Sequence, residues 1–151
     1  MAQTILYNAK SKNKVRVEDG IYRQDRDASW PARIYIPEKK GRSPALIDVH
    51  GGAWTMGGCS DNEIIDLSLA ESGLVVIAIE CRKAPRFNYP SQVIDVNYAT
   101  RWVKSHAGDF NSLPDSIGGL GTSSGGHALL LSAMRPHDVR YGALDLPEEE
   151  H

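Results

Sequence analysis

The sequence has little that would assign it to a membrane or to nucleic acid. Its longest apolar run, residues 74–79, is far shorter than the about 20 residues that cross a bilayer. Lys and Arg total 17 against 19 Asp and Glu, with no basic cluster, so small neutral substrates fit better than nucleic acid. The N-terminus lacks the basic and apolar regions of a secretory signal, and we therefore expect a cytoplasmic protein.

Cysteine is also scarce. Cys59 and Cys81 are the only two in the chain, and they lack the C-x-x-C spacing that is typical of metal and redox sites. Without a secretory context a disulfide between them is not favoured either. We therefore expect two free thiols, no metal site and no cofactor.

The composition that remains is that of a globular domain. Apolar residues make up 41% and charged residues 24%, which excludes a disordered chain and a fibrous repeat. Residues 1–13 are polar and aperiodic, and the periodic pattern is lost after Pro136. We therefore divide the chain into an N-terminal extension at 1–13, a folded portion at 14–141, and an acidic tail or truncated end at 142–151.

The first strand patterns lie near the N-terminus. Residues 15–17 and 21–23 alternate between apolar and polar side chains on either side of Asp19 and Gly20, which predicts an opening hairpin. Residues 33–37 alternate again and predict a third strand. We expect these strands at the edge of a sheet.

The rest of the folded portion alternates between strand and helix patterns. In chain order these are a strand at 44–50, a helix at 62–72, a strand at 74–79, a helix at 91–108, a strand at 116–121 and a helix at 128–134. Such alternation is typical of parallel strands joined by right-handed crossovers. The predicted fold class is therefore α/β, with a mostly parallel sheet and helices on both faces.

A short motif lies between the last predicted strand and helix. Residues 121–125 read G-T-S-S-G and match G-x-S-x-G, in which a sharp strand-to-helix turn leaves the serine exposed. Glycines tolerate the close backbone approach at this turn, and the helix N-terminus directs free N–H groups towards an oxyanion. We predict Ser123 as the nucleophile and the amide of Ser124 as an oxyanion donor. A glycine-rich turn with an incidental serine is the alternative.

The second motif, His50-Gly51-Gly52, ends the predicted strand at 44–50. Gly51 and Gly52 can present backbone N–H groups to a substrate, and each such donor contributes about 3–4 kcal/mol to a tetrahedral intermediate. We predict that His50 orients this loop by hydrogen bonding to its backbone, with the role of general base as the alternative. Ala53 and Trp54 are predicted to line the substrate pocket, with packing against the core as the alternative.

Together the two motifs resemble the hormone-sensitive-lipase-like branch of the α/β-hydrolases (fold-3), in which an H-G-G-G loop precedes a G-D-S-A-G-G elbow. The resemblance covers about residues 15–141. It implies the N-terminal part of an α/β-hydrolase fold. It also implies a carboxylic ester hydrolase of the esterase or lipase type that forms an acyl-enzyme on Ser123.

A third stretch extends the resemblance. Residues 81–85, C-R-K-A-P, resemble the Y-R-L-A-P stretch of that branch and are followed by Tyr89-Pro90 and Asp95. The match implies that Arg82 pairs with a carboxylate such as Asp95 and braces the site. A solvated surface arginine is the alternative.

The chain also departs from the branch. Ala53 replaces the third glycine of the loop, Thr122 replaces the aspartate of the elbow, and Ser124 replaces its alanine. Ala53 and Trp54 also give H-G-G-x-W, which is similar to kynurenine formamidases. An arylformamidase-like amide hydrolase is therefore an alternative to an esterase.

A credible general base is missing. In this fold the nucleophile is followed by an acid and then a histidine, but His127, His137 and His151 do not follow a later strand. We therefore expect the catalytic acid and histidine to lie outside the chain, which alone would hydrolyse esters feebly or not at all. A non-catalytic binding fragment is a further alternative. The unpaired sheet edge after residues 116–121 predicts self-association or a complementing C-terminal fragment as partner, beside a small ester substrate.

Overall fold

A computed structural model describes residues 8–147, so the predicted features at residues 1–7 and 148–151 lie outside the described residues. The strands are β1 (Val15–Gln24), β2 (Ser29–Pro37), β3 (Ser43–Val49), β4 (Val75–Ile79) and β5 (Ser112–Gly121). The helices are α1 (Glu63–Glu71), α2 (Ser91–Ser105) and α3 (Ser124–Met134). No helix within residues 8–147 is long and apolar enough to span a membrane.

The strands form one mixed sheet in the order β1-β2-β4-β3-β5. β3 pairs in parallel with β4 and β5, whereas β2 pairs antiparallel with both β1 and β4. The parallel half is the part of the chain in which strands and helices alternate, because parallel neighbours need a crossover connection. The predicted α/β class is confirmed, and the antiparallel half comes from the N-terminal strands.

The predicted hairpin turn at Asp19 and Gly20 is wrong. β1 passes through both residues, and Gly20 pairs with Ala32 of β2. The turn lies after β1, where the Asp25 amide donates to the carbonyl of Ala28 over 2.8 Å. Gly20 has an ordinary strand conformation, so a turn-forming residue pair here does not interrupt the ladder.

The helices cover both faces of the sheet, as predicted. α1 lies on one face, where Ala70 packs with Tyr35, Val76 and Ala78. α2 and α3 lie on the other face, over the larger of the two apolar clusters. β4 is buried along its whole length because it lies at the centre of the sheet between these layers.

The carboxyl ends of β3 and β5 lie side by side. Val49 at the end of β3 is in register with Gly121 at the end of β5. Each strand therefore delivers the segment that follows it to the same edge of the sheet, where ligands bind in open α/β folds. Those two segments contain the predicted motifs.

Candidate active site

Ser123 connects β5 to α3 in a conformation that few residues with a side chain adopt. Its φ is 49° and its ψ is −119°, in the left-handed range, and it is the N-cap of α3. The side chain is exposed to solvent. The strand therefore turns into the helix within two residues, Thr122 and Ser123, and leaves the hydroxyl exposed at the sheet edge.

Glycines make this turn sterically feasible. A Cβ added to Gly125 would lie 2.1 Å from the carbonyl oxygen of Val49, and one added to Gly121 would lie 2.7 Å from the nitrogen of Gly126. Both distances are well below van der Waals contact. Helix α3 can therefore begin directly against the ends of β3 and β5.

The Gly51-Gly52 loop packs against the serine. A Cβ at Gly51 would lie 3.2 Å from the carbonyl oxygen of Thr122 and 3.3 Å from the Cβ of Ser123. The amides of Gly51, Gly52 and Ser124 donate no hydrogen bond within residues 8–147. These three unpaired N–H groups belong to the loop that packs against Ser123 and to the first residue of α3, and a helix N-terminus favours an anion.

His50 is buried at the base of this loop, with 4% of its surface exposed. Its Nδ1 lies 2.6 Å from the Gly51 carbonyl oxygen, a contact that requires the proton on Nδ1 because a carbonyl only accepts. Gly57 leaves room for the ring, since a Cβ there would lie 2.4 Å from Nδ1. The Nδ1 edge of the ring therefore faces the loop backbone at Gly51 and Gly57, whereas Nε2 is buried without a hydrogen-bond partner within residues 8–147.

Ala53 and Trp54 continue the loop in the left-handed region, with φ angles of 51° and 62°. The Trp54 carbonyl accepts hydrogen bonds from the Ala84 amide at 2.9 Å and the Gln92 side chain at 3.1 Å. Trp54 is 46% exposed, and its indole packs edge-on against the ring of His127, with the ring centroids 5.5 Å apart.

A cavity adjoins this end of the site. It has a volume of about 310 Å³, and Trp54, Phe87, Tyr89 and His127 contribute to its wall, whereas Ala53 does not. This volume is at the lower end of the range for small-molecule pockets.

The predicted brace between Arg82 and Asp95 is confirmed. The Arg82 amide donates to the Asp95 carboxylate at 2.7 Å and its Nε donates at 2.8 Å. Arg23 of β1 donates to the same carboxylate, and this contact was not predicted. Burial raises the pKa of Asp95, and both guanidinium groups oppose this shift. The brace ties the segment after β4 to α2.

Known families and proteins that are similar to this chain agree with the motifs. The family described as BD-FAE matches residues 22–146. The chain belongs to the BD-FAE family. It is an α/β-hydrolase of the hormone-sensitive-lipase-like branch, as its motifs predicted.

Among curated relatives of this BD-FAE chain, the probable carboxylic ester hydrolase LipM of Mycobacterium tuberculosis is 40% identical over 67% of this chain and 24% of its own length. An arylesterase of Saccharolobus solfataricus is 31% identical over 74% of this chain and 37% of its own. Thermogutta terrifontis esterase 2 with bound butyrate superposes with a TM-score of 0.71 at 26% identity, over 93% of this chain and 49% of the other. The chain thus spans less than half the length of each.

Three polar residues of the BD-FAE chain near the site were not predicted. Asp48 of β3 is buried, and both of its oxygens lie 3.0 Å from Nδ2 of Asn62. The same nitrogen lies 3.4 Å from Oγ1 of Thr122. Asp66 of α1 is fully buried with no partner for either oxygen within residues 8–147, and burial, followed by the charges of Asp48 and Glu63, raises its pKa to about 7.

The described histidines do not contact the Ser123 hydroxyl, which forms no side-chain hydrogen bond within residues 8–147. His127 follows one turn later on α3, where its amide donates to the Ser123 carbonyl and its ring packs on Trp54. Asp138, next to His137, pairs with Arg140 instead, which lowers the pKa of the carboxyl to about 2.

Proposed function

We propose that this chain carries the nucleophile and the oxyanion donors of a serine-dependent carboxylic ester hydrolase. The observation that carries the proposal is the exposed Ser123 in its left-handed conformation, packed against a loop with unpaired amides. Ser123 is the nucleophile, and the amides of Gly51, Gly52 and Ser124 form the oxyanion hole. The ester hydrolase names of the relatives support the same activity.

The reaction follows from these roles. Oγ of Ser123 attacks the carbonyl carbon of the ester while its proton passes to a base, and the carbonyl oxygen becomes an oxyanion. The amides stabilise that charge, because donors fixed in a site need no reorganisation when charge develops. Collapse expels the alcohol and leaves an acyl-enzyme, which water hydrolyses to the acid. His50 acts by holding the loop that carries two of the donors.

The general base and its acid lie, in this proposal, outside residues 8–147. Support comes from His127, whose ring packs on Trp54, and from Asp138, whose carboxyl is committed to Arg140. A complementing C-terminal segment would supply them and pair with the edge of β5, which has one neighbour in the sheet. Without a base the serine is a weak nucleophile, so the chain alone turns over esters slowly.

The test is covalent labelling of the purified chain with a fluorophosphonate, followed by peptide mass spectrometry. Because the base is absent, we expect slow modification at Ser123 under excess reagent and none in Ser123→Ala, with Ser68→Ala, on the exposed face of α1, labelled like the parent. Labelling that persists in Ser123→Ala would exclude Ser123 as the nucleophile. Absence of labelling in all variants would favour a binding fragment.

Trp54 favours a second candidate, an arylformamidase-like amide hydrolase. Trp54 lines the cavity and completes an H-G-G-x-W pattern that resembles kynurenine formamidases. Turnover of N-formylkynurenine is compared with turnover of short p-nitrophenyl esters under identical conditions. Faster serine-dependent hydrolysis of the formamide would favour this candidate over the esterase.

A further inference from the structure

Asn62 is the N-cap residue of α1, but its side chain does not cap the helix. Asparagine at this position ordinarily accepts a hydrogen bond from one of the first amides of the helix, which stabilises the helix by about 1 kcal/mol. Here the backbone carbonyl of Asn62 accepts hydrogen bonds from the amides of Ile65 and Asp66, while its side chain bonds to none of the helix amides. The amide group is therefore available for contacts outside α1.

Those contacts reach two other elements. Nδ2 of Asn62 lies 3.0 Å from each oxygen of Asp48 on β3 and 3.4 Å from Oγ1 of Thr122 after β5. A carboxamide nitrogen carries two hydrogens, so one can be donated to the buried carboxylate and the other to the hydroxyl. A hydrogen bond to an ionised group is the stronger of the two kinds. Asp48 therefore anchors Asn62, and Asn62 holds Thr122.

The two residues that this bridge joins lie directly beside the two motifs in the chain. Asp48 comes two residues before the His50-Gly51-Gly52 loop, and Thr122 comes directly before Ser123. Thr122 is also in contact with the loop, because its carbonyl oxygen and Oγ1 would lie 3.2 Å and 3.4 Å from a Cβ at Gly51. A shift of Asp48 or Thr122 would therefore change the distance between Ser123 and the loop amides.

We propose that Asn62 is a positioning residue that holds the Ser123 elbow against the Gly51-Gly52 loop through an amide bridge from Asp48 to Thr122. This role rests on the proposed function of Ser123. It also accounts for the elbow residue of this chain, since Thr122 has a hydroxyl that can accept from the same amide. Asn62 touches neither substrate nor oxyanion and acts through Thr122.

The first measurement does not depend on chemistry at the serine. The Thr122 amide donates to the Val49 carbonyl at 3.1 Å, and the Gly125 amide donates to the Thr122 carbonyl at 2.8 Å. Native-state hydrogen exchange at these two amides therefore reports on the joint between the elbow and the end of β3. We expect Asn62→Ala to raise exchange at these two amides about 10-fold relative to those of β4, as loss of a charge-assisted hydrogen bond would do.

A matched control removes an asparagine that contacts the other end of the same helix. Asn13 donates to the carbonyl of Glu71 at 2.8 Å, so Asn13→Ala also loses a hydrogen bond to α1. We expect Asn13→Ala to leave the exchange rates of the Thr122 and Gly125 amides, relative to those of the β4 amides, as they are in the parent. Equal changes in the two variants, or no change at the joint in Asn62→Ala, would overturn the proposal.

The second measurement is the fluorophosphonate labelling rate of Ser123. Asn62→Ala should slow it about 10-fold or more, because small displacements of reacting groups have effects of this size. Thr122→Val removes the acceptor from the other side of the bridge without touching α1, and it keeps the test valid if Asn62→Ala does not fold. It should slow labelling similarly, and Thr122→Ser, which keeps the hydroxyl, should recover most of the rate.

The double variant decides whether the residues act as one bridge. Asn62→Ala with Thr122→Val should be no slower than either single variant, since contacting residues in one network are not additive. Additive losses would show independent effects and contradict the bridge. If the parent itself is not labelled, the proposed function fails, and the exchange measurement alone then decides the role of Asn62.

Discussion

Each face of the sheet buries an aspartate completely, but only one of the two is paired. Asp95 of α2 accepts hydrogen bonds from the side chains of Arg23 and Arg82 and from the Arg82 amide. Asp66 of α1 has no hydrogen-bond partner within residues 8–147. A buried charge is stable only when it is paired, so Asp66 tends to keep its proton. The same residue type is a brace on one face and a titrating group on the other.

Two tyrosines repeat the difference. Tyr22, in the cluster under α2, is 1% exposed and donates from its hydroxyl to the Glu80 carbonyl at 2.8 Å. Tyr35, in the cluster under α1, is fully buried, and its hydroxyl makes no hydrogen bond of ordinary geometry among the described residues, although Arg33 lies near enough to act on it. The aspartate and the tyrosine under α1 are therefore less well satisfied than their counterparts under α2.

The difference matters because α1 belongs to the candidate site. Asn62 is the N-cap of this helix, and Asp66 follows one turn later, near enough to Asp48 for that charge to raise the pKa of Asp66. Groups left without partners are expected near functional sites, where geometry is selected for purposes other than stability. Under α2 the carboxylate of Asp95 is fully paired, although Nε of Arg23 has no partner within residues 8–147, whereas under α1 neither oxygen of Asp66 has one.

The largest effect should come from breaking the paired side. Asp95→Ala removes the buried carboxylate partner of the Arg23 guanidinium, whose side chain is 3% exposed, and leaves it only the half-exposed Asp25 at 3.3 Å. Removing one partner of a buried pair destabilises by about 3–5 kcal/mol, because the other charge stays buried. We expect this loss in the free energy of unfolding from urea titrations.

The control is an ion pair at the surface. Asp19→Ala removes the partner of Arg33, but the Asp19 side chain is 66% exposed. Such pairs contribute about 0–1 kcal/mol, so the loss should be correspondingly small. Similar losses in Asp95→Ala and Asp19→Ala would mean that Asp95 is not a structural brace.

Much of this arrangement could be predicted from the sequence. The strands before both motifs follow from apolar or glycine-rich runs, and Arg82 with Asp95 follows from the family resemblance. The turn at 25–28 was missed because a glycine inside a strand looks like a turn residue when only the sequence is seen. Local patterns do not show whether a strand continues through a glycine.

The polar network under α1 could not be predicted. Apolar spacing suggests that Ile64 faces the core, but it is 86% exposed, and Asp66 points inwards instead. The way α1 packs on β2 and β4 decides which of its side chains face the core, and this packing consists of contacts between residues that are distant in sequence. For the same reason an asparagine at a helix start reads as a cap, not as a bridge to the elbow.

The next effect tests the unpaired aspartate through pH. The pKa of Asp66 is raised to about 7 in the folded chain, against about 3.9 when unfolded. Between these values the folded state binds more protons, so raising the pH destabilises it, by up to about 4 kcal/mol once pH exceeds 7. We expect the free energy of unfolding to fall from pH 5 to pH 8, and Asp66→Asn to remove most of that fall.

The comparison of Asp66→Asn with the parent measures this group together with its interaction with Asp48. Burial also raises the pKa of Asp48, which contributes a slope of the same sign, and the part of that slope that does not depend on Asp66 cancels in the difference. Asp138→Asn is the control, because its lowered pKa of about 2 leaves nothing to titrate between pH 5 and pH 8. If Asp66→Asn kept the slope of the parent, the contrast between the two aspartates would be lost.

The smallest effect compares the tyrosines directly. Tyr22→Phe removes a hydroxyl that donates to the Glu80 carbonyl and leaves that buried acceptor without its partner, which should destabilise by about 1 kcal/mol. Tyr35→Phe removes a hydroxyl without an ordinary hydrogen bond, so the loss of its desolvation penalty should make the change neutral or slightly stabilising. Both variants keep the ring, so packing is matched and the two free energies of unfolding can be subtracted. A greater loss for Tyr35→Phe than for Tyr22→Phe would reverse the contrast between the two faces, because it would mean that the Tyr35 hydroxyl has a partner that stabilises the fold.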